Sequence, residues 1–158
     1  MTADRQIRLQ RDIAARPETV WRCFADPALL PRWFGPEGYR CDTREIRTGE
    51  GGIWRFDMIG PDGRVWPNRH RYFGVIEGVR LEYWLDGDDD AEAPIHALVE
   101  LEPVAAGTRV TMTMTFPTAA ACAGARDFGA AELGQTTLAK LARLAEGDLP
   151  ADHRSRQS

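Results

Sequence analysis

A carboxamide, an imidazole and a phenol fall two residues apart in Asn68-Arg69-His70-Arg71-Tyr72. Successive side chains of an extended chain point to opposite faces, so Trp66, Asn68, His70 and Tyr72 share one face. A small-molecule pocket is mostly apolar with a few placed polar groups. On this face Asn68 offers a hydrogen-bond donor, His70 a proton-transfer group and Tyr72 a hydroxyl. Acid–base catalysis by His70 or Tyr72 requires either group within reach of a substrate proton. The opposite register turns Arg69, Arg71 and Phe73 inward and leaves the polar trio in solvent. A third arrangement buries the trio as a satisfied core network. No residue is assigned as catalytic, and His70 and Tyr72 are the candidates.

Other chemistries find less support. Serine occurs only at Ser155 and Ser158, which speaks against a serine nucleophile. Cys23, Cys41 and Cys122 are odd in number and widely spaced, without a CxxC pair. That pattern argues against a disulfide framework or zinc site and for a reducing cytoplasm. Asp86, Asp88, Asp90 and Glu92 resemble the start of a calcium loop. Ala91 and Ala97 stand where that loop needs glycine and glutamate, so a solvated acidic turn is the expectation. His96 shares a polar face with Glu100 and His153 lies near the C-terminus; neither is spaced to ligate a metal with the cysteines. No glycine-rich phosphate-binding motif occurs. No metal and no cofactor are therefore expected.

The elements that would position such a face follow from periodicity. Gln6–Ile13 alternates, with Ile7, Leu9 and Ile13 on one side and Arg11 interrupting the row at an edge or cavity mouth. Pro17 opens a helix whose Val20, Trp21 and Phe24 form an apolar face. Asp26-Pro27 caps a second short helix carrying Leu29, Leu30, Trp33 and Phe34, which Gly35-Pro36 ends. Strands are predicted over 39–46, 53–59, 65–76, 80–85, 95–101 and 108–116, separated by turn-forming residues. Trp54, Phe56 and Met58 share a face, as do Val110, Met112 and Met114. Residues 118–146 read as one helix with Thr118 at its cap. Gly124, Gly129 and Gly134 each weaken it by about 1 kcal/mol relative to alanine and need a packing or ligand reason.

Strands in sequence joined by turns make an antiparallel sheet, and an amphipathic helix must cover its apolar face. The 158 residues favour one domain, expected over residues 6–146 with flexible termini at 1–5 and 147–158. A net charge of −4 argues against a nucleic-acid or anionic-membrane binder. No apolar run approaches the ~18 residues of a spanning helix, and residues 1–13 carry no secretory apolar core. No membrane insertion and a cytoplasmic location are expected. Five tryptophans supply flat surfaces for a core or a pocket wall. The ligand-cavity candidates are Trp54, Phe56, Met58, Trp66, Asn68, His70, Tyr72, Met112, Met114 and Phe128. Trp33 and Phe34 are read as a hydrophobic plug more than as ligand contacts.

The order strand, two helices, six strands, long helix resembles the helix-grip fold of the START-like superfamily, also called SRPBCC or Bet v 1-like. This α+β fold has a curved antiparallel sheet of about seven strands wrapped on a long C-terminal helix. The matching pieces are Pro17-Glu18-Thr19-Val20-Trp21, Asp26-Pro27-Ala28-Leu29-Leu30, Trp33-Phe34-Gly35-Pro36, Gly51-Gly52, Arg80-Leu81-Glu82-Tyr83, Gly107-Thr108-Arg109-Val110-Thr111 and Gly134-Gln135-Thr136-Thr137-Leu138. They resemble the branch named after the activator of heat-shock-protein-90 ATPase. Trp66-Pro67-Asn68-Arg69 and Thr115-Phe116-Pro117-Thr118 resemble its bacterial stand-alone subgroup. The resemblance implies binding of a small apolar or amphipathic molecule between sheet and C-terminal helix. It also admits an enzyme of polyketide cyclase or aromatase type. A third implication is an interaction module acting on a chaperone ATPase. Eukaryotic co-chaperones of that name carry a further N-terminal domain for which these residues leave no room, which sets the expectation against the third. An exposed sheet face or strand edge is where a homodimer contact would form.

Overall fold

A computed structural model describes residues 2–148. A 3-10 turn, Thr2–Arg5, leads into β1 (Gln6–Ile13), α1 (Pro17–Ala25) and α2 (Leu30–Trp33). Six strands follow: β2 (Arg40–Arg47), β3 (Ile53–Ile59), β4 (Val65–Ile76), β5 (Arg80–Asp86), β6 (Ile95–Val104) and β7 (Gly107–Thr115). Two helices, α3 (Ala119–Phe128) and α4 (Ala130–Arg143), then run into a π-helical turn, Leu144–Asp148. Of the terminus expected to be flexible at 147–158, residues 149–158 lie outside the described residues. The Arg5 carbonyl accepts a backbone hydrogen bond from Phe116 N–H at 2.7 Å.

The strands form one antiparallel sheet in the order β1-β7-β6-β5-β4-β3-β2. Consecutive strands β2 to β7 pair through short turns, the favoured connection. Only β1 is out of sequence: it pairs with β7, so α1 and α2 carry the chain from one sheet edge to the other. The helices cover one face of the curved sheet in an α+β helix-grip architecture. Ile7, Leu9 and Ile13 of β1 are buried and Arg11 is exposed on this edge strand, as the interrupted alternation implied.

Two helical expectations are revised. Asp26 accepts from Ala28 N–H at 2.9 Å through its side chain, and its carbonyl accepts from Leu29 and Leu30. The result is a turn, and helix persists for only one further turn at Leu30–Trp33. The helix expected over 118–146 is divided at Gly129, whose φ of +95° is left-handed. Glycine takes that conformation without the Cβ clash other residues incur. Thr118 does cap α3, accepting from Ala121 N–H at 3.0 Å. Gly134 has a packing reason: a Cβ there would lie 2.3 Å from Leu9 Cδ1, so the missing side chain lets α4 approach β1.

Candidate functional site

The alternation of β4 resolves the register left open by sequence. His70 and Tyr72 are buried on the helix-covered face, while Arg71 and Phe73 lie outside. Backbone pairing sets Trp54 opposite His70 and Phe56 opposite Asn68, and on the other side Tyr83 opposite Tyr72. The inner faces of β3, β4 and β5 thus bring five rings, those of Trp54, Phe56, His70, Tyr72 and Tyr83, into one cluster with Phe34. His70 stacks on Tyr83 at 4.4 Å and receives the edges of Phe34, Trp54 and Phe56 at 5.0, 5.1 and 5.2 Å. Trp54 stacks on Phe56 at 3.7 Å and donates its indole N–H to Thr43 Oγ1 at 3.0 Å.

His70 is 1% exposed, and its Nε2 has no hydrogen-bond partner among the described residues. Burial pushes its pKa down to about 3, because the charged imidazolium loses its hydration there. At neutral pH the ring is uncharged. Burial pushes the Tyr72 and Tyr83 phenols well above their ordinary value, so both stay protonated. Burial also raises the thiols of Cys23 and Cys41, to about 11 and about 12, which leaves them poor nucleophiles.

Trp33 and Phe34 close the cluster. Trp33 is fully buried and donates to the Cys23 carbonyl at 2.8 Å. Phe34 sets edge contacts on Trp54, Phe56 and His70. Lys140, the only lysine, holds this segment to α4 by donating to the carbonyls of Gly35, Pro36 and Tyr39 at 3.1, 3.4 and 3.4 Å.

The outer side of the same strands is ionic. Arg69 forks onto Asp86, Nε to Oδ1 at 3.0 Å and Nη2 to Oδ2 at 2.7 Å, and Arg71 adds a bond at 3.1 Å. Asp88 joins Arg55 and Arg44 at 3.0 and 2.8 Å. The expected solvated acidic turn is therefore corrected at its start. Asp86 ends β5 as a buried carboxylate and Asp88 is drawn onto the sheet, because arginines from β2, β3 and β4 converge there. Only the tip, Asp89–Ala93, is exposed.

Two openings flank the closed cluster. A groove of about 220 Å³ lies between the β3–β4 hairpin and the α3–α4 bend, lined by Tyr39, Met58, Trp66, Asn68, Phe128 and Leu133 with Pro36 at its edge. Trp66 sits between the guanidinium of Arg64, 3.9 Å from its ring, and Phe128, 5.9 Å away edge-on. Asn68 donates through Nδ2 to the Trp66 carbonyl at 3.0 Å, which leaves its amide oxygen to accept. A pocket of about 270 Å³ lies at the other end, beneath α1 and the β2–β3 turn.

The ten cavity candidates thus separate. Met58, Trp66, Asn68 and Phe128 meet in the groove. Trp54, Phe56 and His70 are core, and Tyr72 divides the cluster from the second pocket. Met112 is buried beside β1, Met114 is partly buried against the core, and both line neither opening. The second pocket was missed because its walls come from α1, β4, β5 and two turns. Its only local signals were the glycine turns at 48–52 and 77–78.

A seven-stranded antiparallel sheet closed by a helical plug and a C-terminal helix defines a START-like helix-grip domain. The chain belongs to the family described as Activator of Hsp90 ATPase homolog 1-like protein, whose model matches residues 14–146. Its fold is similar to a crystal structure of a protein from Nitrosomonas europaea, with 27% identity, a TM-score of 0.83 and coverage of 94% of this chain and 98% of that one. A protein from Chromobacterium violaceum shares 26% identity with a TM-score of 0.76, covering 88% and 96%. One from Mycobacterium smegmatis, at 21% identity, matches the fold with a TM-score of 0.82 over 94% and 95%. No curated protein gives a significant match. Among the described residues no helix is long and apolar enough to cross a membrane.

Proposed function

We propose that this chain binds a small hydrophobic or aromatic molecule in the groove between the β3–β4 hairpin and the α3–α4 bend. The observation that carries the reading is Phe128, which is 61% exposed yet paired edge-on with Trp66 across the groove. A large apolar ring held in solvent at the mouth of a concave, apolar site is what a ligand would cover. Met58 supplies an adaptable wall, and the free acceptor of Asn68 orients a donor on the ligand. At about 25 cal/mol per Å², covering roughly 200 Å² of apolar surface gives about 5 kcal/mol, a dissociation constant near the submillimolar range. An acid–base role for His70 would need a substrate proton within reach of a ring enclosed by the core, and one for Tyr72 a phenol that burial holds protonated, so binding asks less of the structure.

The test is titration with the neutral fluorescent probe N-phenyl-1-naphthylamine. Saturable binding is expected, and Phe128→Asp should weaken it by about tenfold or more while the thermal midpoint stays unchanged. No binding, or equal binding by Phe128→Asp, overturns the reading.

A further inference from the structure

The second pocket has a chemistry of its own. Trp21 and Phe24 of α1, Tyr72 and Val75 of β4 and Leu81 of β5 form its walls, with Ala25, Thr48 and Gly49 above and Glu77 at the rim. Its lining carries two acceptors, Thr48 and Glu77, beside the indole N–H of Trp21 and the hydroxyl of Tyr72. Thr48 donates its hydroxyl proton to the Ala25 carbonyl at 2.5 Å, so any further hydrogen bond at that oxygen is one it accepts. Two donors of the neighbouring turn are engaged: Gly51 N–H goes to the Tyr72 carbonyl and Gly52 N–H to the Gly49 carbonyl, both at 2.9 Å. Glu77 makes no hydrogen bond or ion pair with any described residue. No lysine, arginine or histidine contributes to the lining.

We infer that this pocket binds a small organic ammonium ion with an apolar body. Three aromatic walls attract a cation through their ring faces. The unpaired carboxylate of Glu77 supplies the counter-charge, and Thr48 accepts one ammonium N–H. An anionic ligand would meet the Glu77 carboxylate with no cationic side chain in the lining to offset the repulsion. A neutral ligand of the same shape would gain the apolar contact alone. The site is separate from the Trp66–Phe128 groove, on the far side of the ring cluster, and does not depend on it.

The experiment is calorimetric titration at pH 7.5 and low salt with phenethylamine, 2-phenylethanol and 3-phenylpropionate, which differ mainly at the terminal group. Phenethylamine is expected to bind about tenfold tighter than the alcohol, with the carboxylate weakest. Glu77→Gln should remove most of that preference and leave alcohol binding unchanged. Amide chemical shifts should move at Thr48, Gly49 and Glu77, and Phe128→Asp should not alter amine binding. Absence of amine binding, equal affinity for amine and alcohol, an unaltered preference in Glu77→Gln, or shifts confined to Trp66 and Phe128 each overturns the inference.

Discussion

The two faces of β4 solve opposite physical problems with alternate residues of one strand. Inward, His70 and Tyr72 join a cluster of rings in which burial leaves the imidazole neutral and its Nε2 unpaired. Outward, Arg69 forks onto one buried carboxylate, Asp86, Arg71 adds a single bond to it, and Asp88 is paired with Arg55 and Arg44. The inner face is held by contact area, which tolerates no charge. The outer face is held by direction and pairing, which tolerates little loss of a partner. The openings follow from the same division. Both lie where the inner rings stop, at the two ends of the cluster, and neither penetrates it.

That contrast can be broken in order of size. Trp54→Ala removes a fully buried indole stacked at 3.7 Å on Phe56. It should cost roughly 3–5 kcal/mol in denaturant unfolding, the range for large aromatic truncations. Asp86→Ala strips Arg69 and Arg71 of their shared acceptor. A loss of about 1.5–3 kcal/mol is expected, since the arginines regain partial hydration. If Asp86→Ala proved the costlier of the two, the outer lattice rather than the rings would dominate this part of the sheet.

The smallest effect at neutral pH is the most discriminating. Folded His70 has a pKa of about 3 against 6.5 for a free imidazole. As pH falls, the unfolded chain takes the proton first. This contribution to stability is full above about pH 6.5 and is lost progressively down to pH 3, at up to about 1.4 kcal/mol per unit. His70→Leu should change stability at pH 7.5 by less than about 1 kcal/mol, because an unpaired polar atom leaves with the ring. It should flatten the pH 6.5–4 limb measured by thermal unfolding. On the outer face burial works to raise the Asp88 carboxyl, but Arg55, Arg44 and Arg69 outweigh it and hold it below 3.8. Its contribution is lost chiefly as pH falls through that value and below, so the limb between pH 6.5 and about 5 reports His70 and the two contributions overlap only in more acid solution. An unchanged limb in His70→Leu would remove the imidazole from the account.

Local pattern made the strands readable. Gln6–Ile13, Ile53–Ile59 and Val65–Ile76 have the bounds that alternation and turn residues predict. Thr118 could be recognised as a cap from its place ahead of a run of helix formers. The division at Gly129 could not, because Gly124, Gly129 and Gly134 look alike in sequence. Only packing distinguishes a left-handed break, a close approach to Leu9 and an open position. Asp86 looked like the first residue of an acidic loop because its arginine partners stand 15 and 17 residues earlier. Of the ten cavity candidates, the four that meet in the groove come from β3, β4 and the end of α3.

Sequence alone determined the strand alternation, the helix starts at Pro17 and Thr118, and the family, because these depend on residue type at short separation. Tertiary structure decided which face of β4 is inside, which acids are neutralised, and where space remains between the elements. Those depend on register and helix placement across the sheet. A shift of one residue would exchange the aromatic and ionic faces while leaving every local propensity the same.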